Sequence, residues 1–172
     1  VRFAIASEGL DETILYRDKA GDDWKPLATF RDGEAGWRPL AFDADNRTVY
    51  ITSDEGRATA AVYRYDTVTH KRGELVHADP HYDVEEVLWD DALQRVVAVA
   101  YTTDRRRIVP LDETYGRRQR VVEEAFPGMV CTQVSATGQG ANTAVFVSSD
   151  REPGVYYFLD EKRKKIEEIA VV

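Results

Sequence analysis

A single cysteine, Cys131, leaves this chain unable to form an internal disulfide. That fits a reducing compartment, although periplasmic proteins without disulfides are common, so cytoplasm and periplasm both stay open. No run of 18 apolar residues occurs, which excludes a membrane-spanning helix. Positive charge is in deficit: 23 Lys and Arg against 31 Asp and Glu give a net charge of −8. A nucleic-acid backbone needs a basic footprint and is therefore not expected as a partner. Gly-x-Ser-x-Gly is missing, so the hydrolase nucleophile of that kind is absent. The first residues lack a signal-peptide layout, and Val1 opens inside a strand pattern, which leads us to expect a piece of a longer chain.

What the chain does contain is a repeat. Ile14-Leu-Tyr-Arg-Asp18, Val62-Tyr-Arg-Tyr-Asp66, Ile108-Val-Pro-Leu-Asp112 and Tyr156-Tyr-Phe-Leu-Asp160 are β-branched or aromatic runs closing on aspartate, 48, 46 and 48 residues apart. An earlier register agrees with the first: Ser7-Glu8, Ser53-Asp54, Thr103-Asp104 and Ser149-Asp150 each pair a small hydroxyl with an acid. Before the last run, Pro153-Gly154 supplies turn chemistry, proline by its fixed φ and glycine by its tolerance of φ > 0.

Four strand signals fill each full unit. The second unit predicts strands at Arg38–Phe42, Thr48–Ser53, Ala60–Asp66 and Gly73–Ala78. The third predicts Glu85–Trp89, Arg95–Thr103, Arg107–Asp112 and Gln119–Glu123. The fourth predicts Thr132–Ser135, Thr143–Ser149, Val155–Asp160 and Ile166–Val171. The first unit starts at its second strand, Arg2–Ser7. Four short antiparallel strands per unit mark a β-propeller blade, and no stretch shows a helical period. The expected fold is all-β: a partial β-propeller of about four blades, each a four-stranded antiparallel sheet, over residues 1–35, 36–82, 83–129 and 130–172. Pro110 falls inside a strand and requires a bulge or an unpaired amide.

Each motif that suggests chemistry has a plainer explanation. Trp89-Asp90 resembles a WD dipeptide but closes the first strand rather than the third. His77-Ala-Asp-Pro-His81 has a zinc-like spacing near Asp79 and Asp83, yet Pro80 blocks the helical turn that would aim both imidazoles at one ion. Asp43-Ala-Asp-Asn46 lacks the glycine and distal acid of a calcium loop and reads as a turn. Thr137-Gly-Gln-Gly140 has no strand–turn–helix context for a dinucleotide. No catalytic, cofactor-binding or metal-ligating residue is assigned, and no cofactor is expected. Basic turns at Lys19, Lys71-Arg72, Arg117-Arg118 and Lys162–Lys165 are expected on one face. Glu8, Asp11, Glu12, Asp54, Glu55, Asp79, Asp83, Glu123 and Glu124 are expected on the other, with Arg105–Arg107 as the exception.

Ser148-Ser-Asp-Arg-Glu-Pro-Gly-Val-Tyr-Tyr-Phe-Leu-Asp160 resembles the last propeller blade of the prolyl oligopeptidase family, in the branch of acylaminoacyl peptidases and dipeptidyl-peptidase-like enzymes. His77-Ala-Asp-Pro-His-Tyr-Asp-Val84 resembles that family's loop between blades, and Arg95-Val-Val-Ala-Val-Ala-Tyr101 the strand after it. The resemblance implies a parent serine peptidase whose propeller caps an α/β-hydrolase domain and restricts it to short peptides. The triad would lie wholly in that domain, so none of it maps here. The implied partners are the catalytic domain of the same parent chain and, in the parent, a peptide substrate; no membrane is implied. A free-standing propeller scaffold for protein or ligand binding is the alternative. Uncovered blade flanks and sheet edges lead us to expect self-association, by edge pairing or by a face-to-face dimer that mimics an eight-bladed ring.

Overall fold

The computed structural model describes residues 2–137 and 142–172; Gly138-Gln-Gly140 of the glycine motif lies outside the described residues. Among the described residues, fourteen strands and one helix follow one another, the strands as four antiparallel meanders. The first sheet comprises β1 (Phe3–Glu8), β2 (Asp11–Tyr16) and β3 (Lys25–Arg31). The second comprises β4 (Trp37–Phe42), β5 (Thr48–Ser53), β6 (Ala61–Asp66) and β7 (Lys71–His77). The third comprises β8 (Glu86–Asp90), β9 (Arg95–Thr102) and β10 (Arg106–Pro110), followed by helix α1 (Glu113–Ala125). The fourth comprises β11 (Val130–Thr137), β12 (Asn142–Ser148), β13 (Val155–Asp160) and β14 (Lys165–Val171). This is the all-β partial propeller expected from the repeat, with sheets of three or four strands.

The two repeated sequence signals have mechanical roles. In the second, third and fourth Ser/Thr-acid pairs the hydroxyl holds a hairpin by accepting backbone N–H groups just beyond it. Ser53 Oγ accepts from Glu55 at 3.3 Å, and Ser149 Oγ accepts from Arg151 and Glu152 at 3.2 Å each. The closing aspartate holds the next turn. Asp66 Oδ1 accepts from the amides of Val68 (2.8 Å) and Thr69 (3.1 Å), and Asp160 Oδ1 from that of Arg163 (2.9 Å). Four residues after each of these aspartates the chain turns left-handed, at His70 (φ 53) and Lys164 (φ 51).

Asp66 also accepts from Arg47 Nη2 at 2.5 Å. That bond, with the two amides, lowers its carboxyl pKa from 3.8 to about 2. Because the folded value is the lower one, the stabilisation is present above the unfolded pKa and is lost as pH falls through the folded one. Asp66→Asn should therefore differ from the parent in urea midpoint at neutral pH, and the difference should close between about pH 4 and pH 2. A gap that stays constant over that window would show that the charge on Asp66 does not matter.

The core sits between neighbouring sheets. Phe3 of the first sheet packs with Val49, Ile51 and Tyr65 of the second. Tyr50 and Val62, on the opposite side of the second sheet, pack with Val84, Val96 and Val99. Both sides of the central strands are covered, which is why they read as continuous apolar runs.

The third unit departs from expectation. Gln119–Glu123 is not a fourth strand but part of α1. Asp112 Oδ1 accepts from Thr114 N–H (2.8 Å) and Tyr115 N–H (3.0 Å), so the same aspartate that turns the chain in other blades here caps a helix. Glu, Arg, Gln and Ala then favour helix, Glu113 complements the N-terminal dipole, and Pro127 lies just past the end. The buried stripe is Tyr115, Arg118, Gln119 and Val122, at i, i+3, i+4 and i+7. Two of its four positions are polar, so the period is invisible to a hydrophobicity reading. Tyr115 packs on Val97 and Ala98 of the third sheet, and Val122 on Cys131, Val145 and Val147 of the fourth. The helix is thus a wedge between two blades. Gly116 lets it approach, since a Cβ there would lie 3.2 Å from that of Pro110. Pro110 itself ends β10 at the sheet edge, where no fourth strand requires its amide.

Candidate functional site

A pocket of about 330 Å³ opens between the first two sheets and the connection that leads into the third. Its walls come from β2 (Glu12), the β3–β4 connection (Asp32 to Gly36), the end of β5 with the following hairpin (Ser53, Asp54, Ala60), and the β7–β8 connection (Asp83, Glu85). Turn chemistry sets each wall. Asp54 Oδ1 accepts from Gly36 N–H at 2.7 Å, and Gly36 is obligatory because a Cβ would lie 2.7 Å from the Phe30 ring. Asp83 Oδ1 accepts from Ala60 N–H at 2.7 Å, and Thr52 Oγ1 donates to the Val84 carbonyl at 2.9 Å, which fixes the β7–β8 connection on the second sheet. Arg38 donates through Nε (3.0 Å) and Nη2 (2.5 Å) to Glu12 Oε2 across the pocket mouth.

Six carboxylates face two guanidinium groups along the lining, so the pocket favours a cationic visitor over an anionic one. Of its two buried hydroxyls, Thr52 donates to the Val84 carbonyl, and Ser53 is held by Glu55 and by Arg72 Nη1 (3.1 Å); neither is bonded to a histidine. Nothing in this lining activates a nucleophile.

The expected acidic face is assembled in part. Glu12, Asp54 and Asp83 meet in this pocket, joined by Asp32, Glu34 and Glu85, which the sequence reading did not single out. Glu123 sits instead on α1, where it accepts from Gln119 at 2.8 Å. The basic turn expected at Arg117-Arg118 does not exist. Both residues are helical, and Arg118 is fully buried against Asp90 at 2.5 Å.

The other motifs resolve into structure. Asp79 ties the β7–β8 connection together: Oδ1 accepts from His81 N–H (2.8 Å) and Tyr82 N–H (3.2 Å), and Oδ2 from the Tyr101 hydroxyl (3.1 Å). The His81 amide is the main cause of its lowered carboxyl pKa, while burial and then the bond to Asp79 raise that of Tyr101. His77 stacks on Tyr101 at 6.0 Å, whereas His70 stands at the opposite end of β7 beside Tyr16. Among the described residues no group of three or more His, Cys, Asp or Glu is placed to hold a metal ion. Asp45 accepts from Arg47 N–H (2.9 Å) and Thr48 N–H (2.7 Å), making Asp43–Asn46 the turn from β4 to β5. In Trp89-Asp90, Trp89 donates to Asp91, and Asp90 Oδ1 accepts from the amides of Ala92 and Leu93 in the β8–β9 turn. Cys131 is buried, and its thiol pKa is pushed up to about 11 by that burial.

No protein-family model matches the chain. It is similar to dipeptidyl aminopeptidase BIII of Pseudoxanthomonas mexicana, 28% identical over 166 residues, which takes in 87% of this chain and 24% of the relative. Among solved structures it is similar to a chain from a structural and mechanistic analysis of two prolyl endopeptidases. The TM-score is 0.61 at 15% identity, over 98% of this chain and 24% of that one. That likeness speaks for the fold, and the chain spans about a quarter of the length of either protein. In sequence the chain is thus similar to a stretch of the one peptidase, and in architecture to a stretch of β-propeller in the other, which are the likenesses expected of a propeller segment resembling that of the prolyl oligopeptidase family.

Proposed function

We propose that this chain is propeller from a prolyl oligopeptidase-like serine peptidase, that it caps the active site of an α/β-hydrolase domain on the same parent chain, and that it restricts substrates to short peptides. The observation that carries the reading is the match to a peptidase over 24% of that enzyme's length by a chain whose described residues fold as four propeller sheets and one helix. In this reading the chain contributes access control and surface charge, while the nucleophile, base and oxyanion donors belong to the catalytic domain.

The 172-residue protein should not hydrolyse fluorogenic dipeptide or ester substrates by itself. Turnover that persists through purification and yields to a serine-directed inhibitor would contradict this. The full-length parent should be labelled by a serine-directed probe outside the residues described here, and should cleave short peptides far faster than the same site in a long unfolded protein. Equal rates on both would remove the gating role, and absence of labelling would remove the peptidase assignment.

A further inference from the structure

The third sheet lacks a fourth strand in the middle of the chain. β10 bonds β9 on one side, and among the described residues no strand pairs its outer edge. Two flanking bonds set the parity of that edge. Thr103 N–H donates to the Arg105 carbonyl at 2.9 Å, and Leu111 N–H to that of Val97 at 2.8 Å. Residues 105, 107, 109 and 111 therefore turn their backbone groups to β9, and the N–H and C=O of Arg106 and Ile108 point outward. In the second and fourth sheets β7 and β14 take this edge. Here α1 closes on the far end, where Gly116 lies against Pro110. Nearer the start of β10, a pocket of about 370 Å³ lies between Arg106 and Ile108 on one side and Glu123 and Phe126 on the other. The sheets that flank this edge, the second and the fourth, are both described, so the opening does not depend on where the sequence begins or ends.

Arg105, Arg106 and Arg107 line the pocket against the single carboxylate of Glu123. In a chain of net charge −8 that is a local excess of positive charge. Arg105 is exposed and gives Nη1 to the Gly128 carbonyl at 3.2 Å. Arg106 Nη2 bonds Glu86 at 2.7 Å, while its Nε is buried and without a partner among the described residues. Arg107 bonds Asp104 at 3.1 Å in an exposed pair, which contributes little. All three retain N–H groups for a carboxylate. Successive arginines on a strand point to opposite sides of the sheet, so both sides of an added strand would meet a guanidinium. A second copy of β10 is a poor partner, because like charges would face each other across the pairing. Charge at an edge also turns away apolar strands, and positive charge leaves the edge selective for acid-bearing ones.

We propose that the outer edge of β10 takes an extended acidic segment of a second protein, which adds as the fourth strand of the third sheet and sets its carboxylates on Arg105, Arg106 and Arg107. The outward groups of Arg106 and Ile108 supply the backbone pairing, over about three residues at ~3.3 Å each. The guanidinium groups supply the preference for acid. This surface is separate from the acidic pocket between the first two sheets, and it does not rest on the peptidase reading.

Fluorescence anisotropy with the 172-residue protein and a labelled peptide of alternating glutamate and valine tests it. We expect saturable binding below about 1 mM, and none by the peptide with lysine in place of glutamate. A peptide methylated at every amide keeps its carboxylates but loses its donors for strand pairing, and should bind about tenfold more weakly. Arg105→Glu reverses an exposed charge and should also weaken binding about tenfold. Ile108→Pro removes an outward amide and should weaken it as well; if circular dichroism shows that variant unfolded, the methylated peptide carries the same test. No binding at about 1 mM overturns the proposal, as does equal binding of the acidic and lysine peptides. An Arg105→Glu variant that binds like the parent overturns it too. So does a methylated peptide that binds as well as the unmethylated one, which would leave only an anion-attracting patch.

Discussion

Asp90→Asn should unfold at markedly lower urea than the parent, with a loss of about 3–5 kcal/mol. Arg118 is fully buried, and Asp90 is the anion beside it, at 2.5 Å with only 7% of its side chain exposed. The remaining donors of Arg118, Nε and Nη1, find no partner among the described residues, and the Tyr115 ring lies 5.8 Å from the guanidinium carbon. Asparagine keeps an oxygen that can accept from the Ala92 and Leu93 amides, so the β8–β9 turn survives and the loss isolates the charge. Asp90→Ala removes those two bonds as well, each worth about 1 kcal/mol, and should fall further.

The sign of the pair's net contribution is a separate question, and a double replacement addresses it. Taking two charges out of water costs several kcal/mol each, so Asp90→Leu with Arg118→Met should recover most of what either single change loses. Unfolding followed by circular dichroism, alongside tryptophan fluorescence, measures both quantities. Against a total stability of about 5–15 kcal/mol for a domain, the single variant should be near the edge of folding. A loss below about 1 kcal/mol for Asp90→Asn would mean that Arg118 reaches water by moving α1, and the helix would then not be a fixed wedge.

That buried pair also explains where the sequence was legible and where it was not. Period-two apolar runs, turn residues and two agreeing registers are local signals. From them Thr48–Ser53 and Val155–Asp160 come out with the bounds the structure shows. Helix α1 was hidden for two reasons. Its buried stripe spends two positions on Arg118 and Gln119, whose partners Asp90 and the Cys131 carbonyl are remote in sequence. Its first residues also imitate a hairpin: Asp112 is followed four residues later by Gly116, as Asp66 is by the left-handed His70 and Asp160 by Lys164. Glycine would serve that turn well, yet here it is selected for the close approach of Pro110. One aspartate cap is compatible with either outcome, and tertiary packing decides between them.

The candidate pocket was half legible for a related reason. Charge along hairpins and connections shows which face is acidic, and Glu12, Asp54 and Asp83 follow from it. Asp32 and Glu34 precede β4 in a connection that lies outside both repeated registers, so neither register places them beside Asp54. The signal available was Gly36: a glycine directly before a strand marks close backbone approach, and Asp54 takes its amide.

Gly154→Ala is the second change with a large expected effect, a loss of about 2–5 kcal/mol. The Pro153-Gly154 pair reads as the turn itself, but Ser149 does the turning, through its hydroxyl and through its amide, which donates to the Glu152 carbonyl at 3.2 Å. Gly154 has a different task. Its φ is 133°, open to glycine and strained for any L side chain, and the Phe146 ring lies over it. An added Cβ would lie 2.1 Å from Phe146 Cζ and 2.4 Å from Cε2, so the ring must leave its rotamer or the strand must shift. Shifting the strand also disturbs the Gly154 carbonyl, which accepts from Val172 N–H at 3.1 Å. Gly56 gives the contrast: its φ is 76° with nothing within 4 Å of a built Cβ, so Gly56→Ala should carry only the backbone cost of about 1 kcal/mol. Phe146→Leu combined with Gly154→Ala should recover the steric part and not the backbone part. Urea denaturation of the four proteins separates the two contributions, and a Gly154→Ala variant within about 1 kcal/mol of the parent would show that the ring is free to move aside and does not define the glycine.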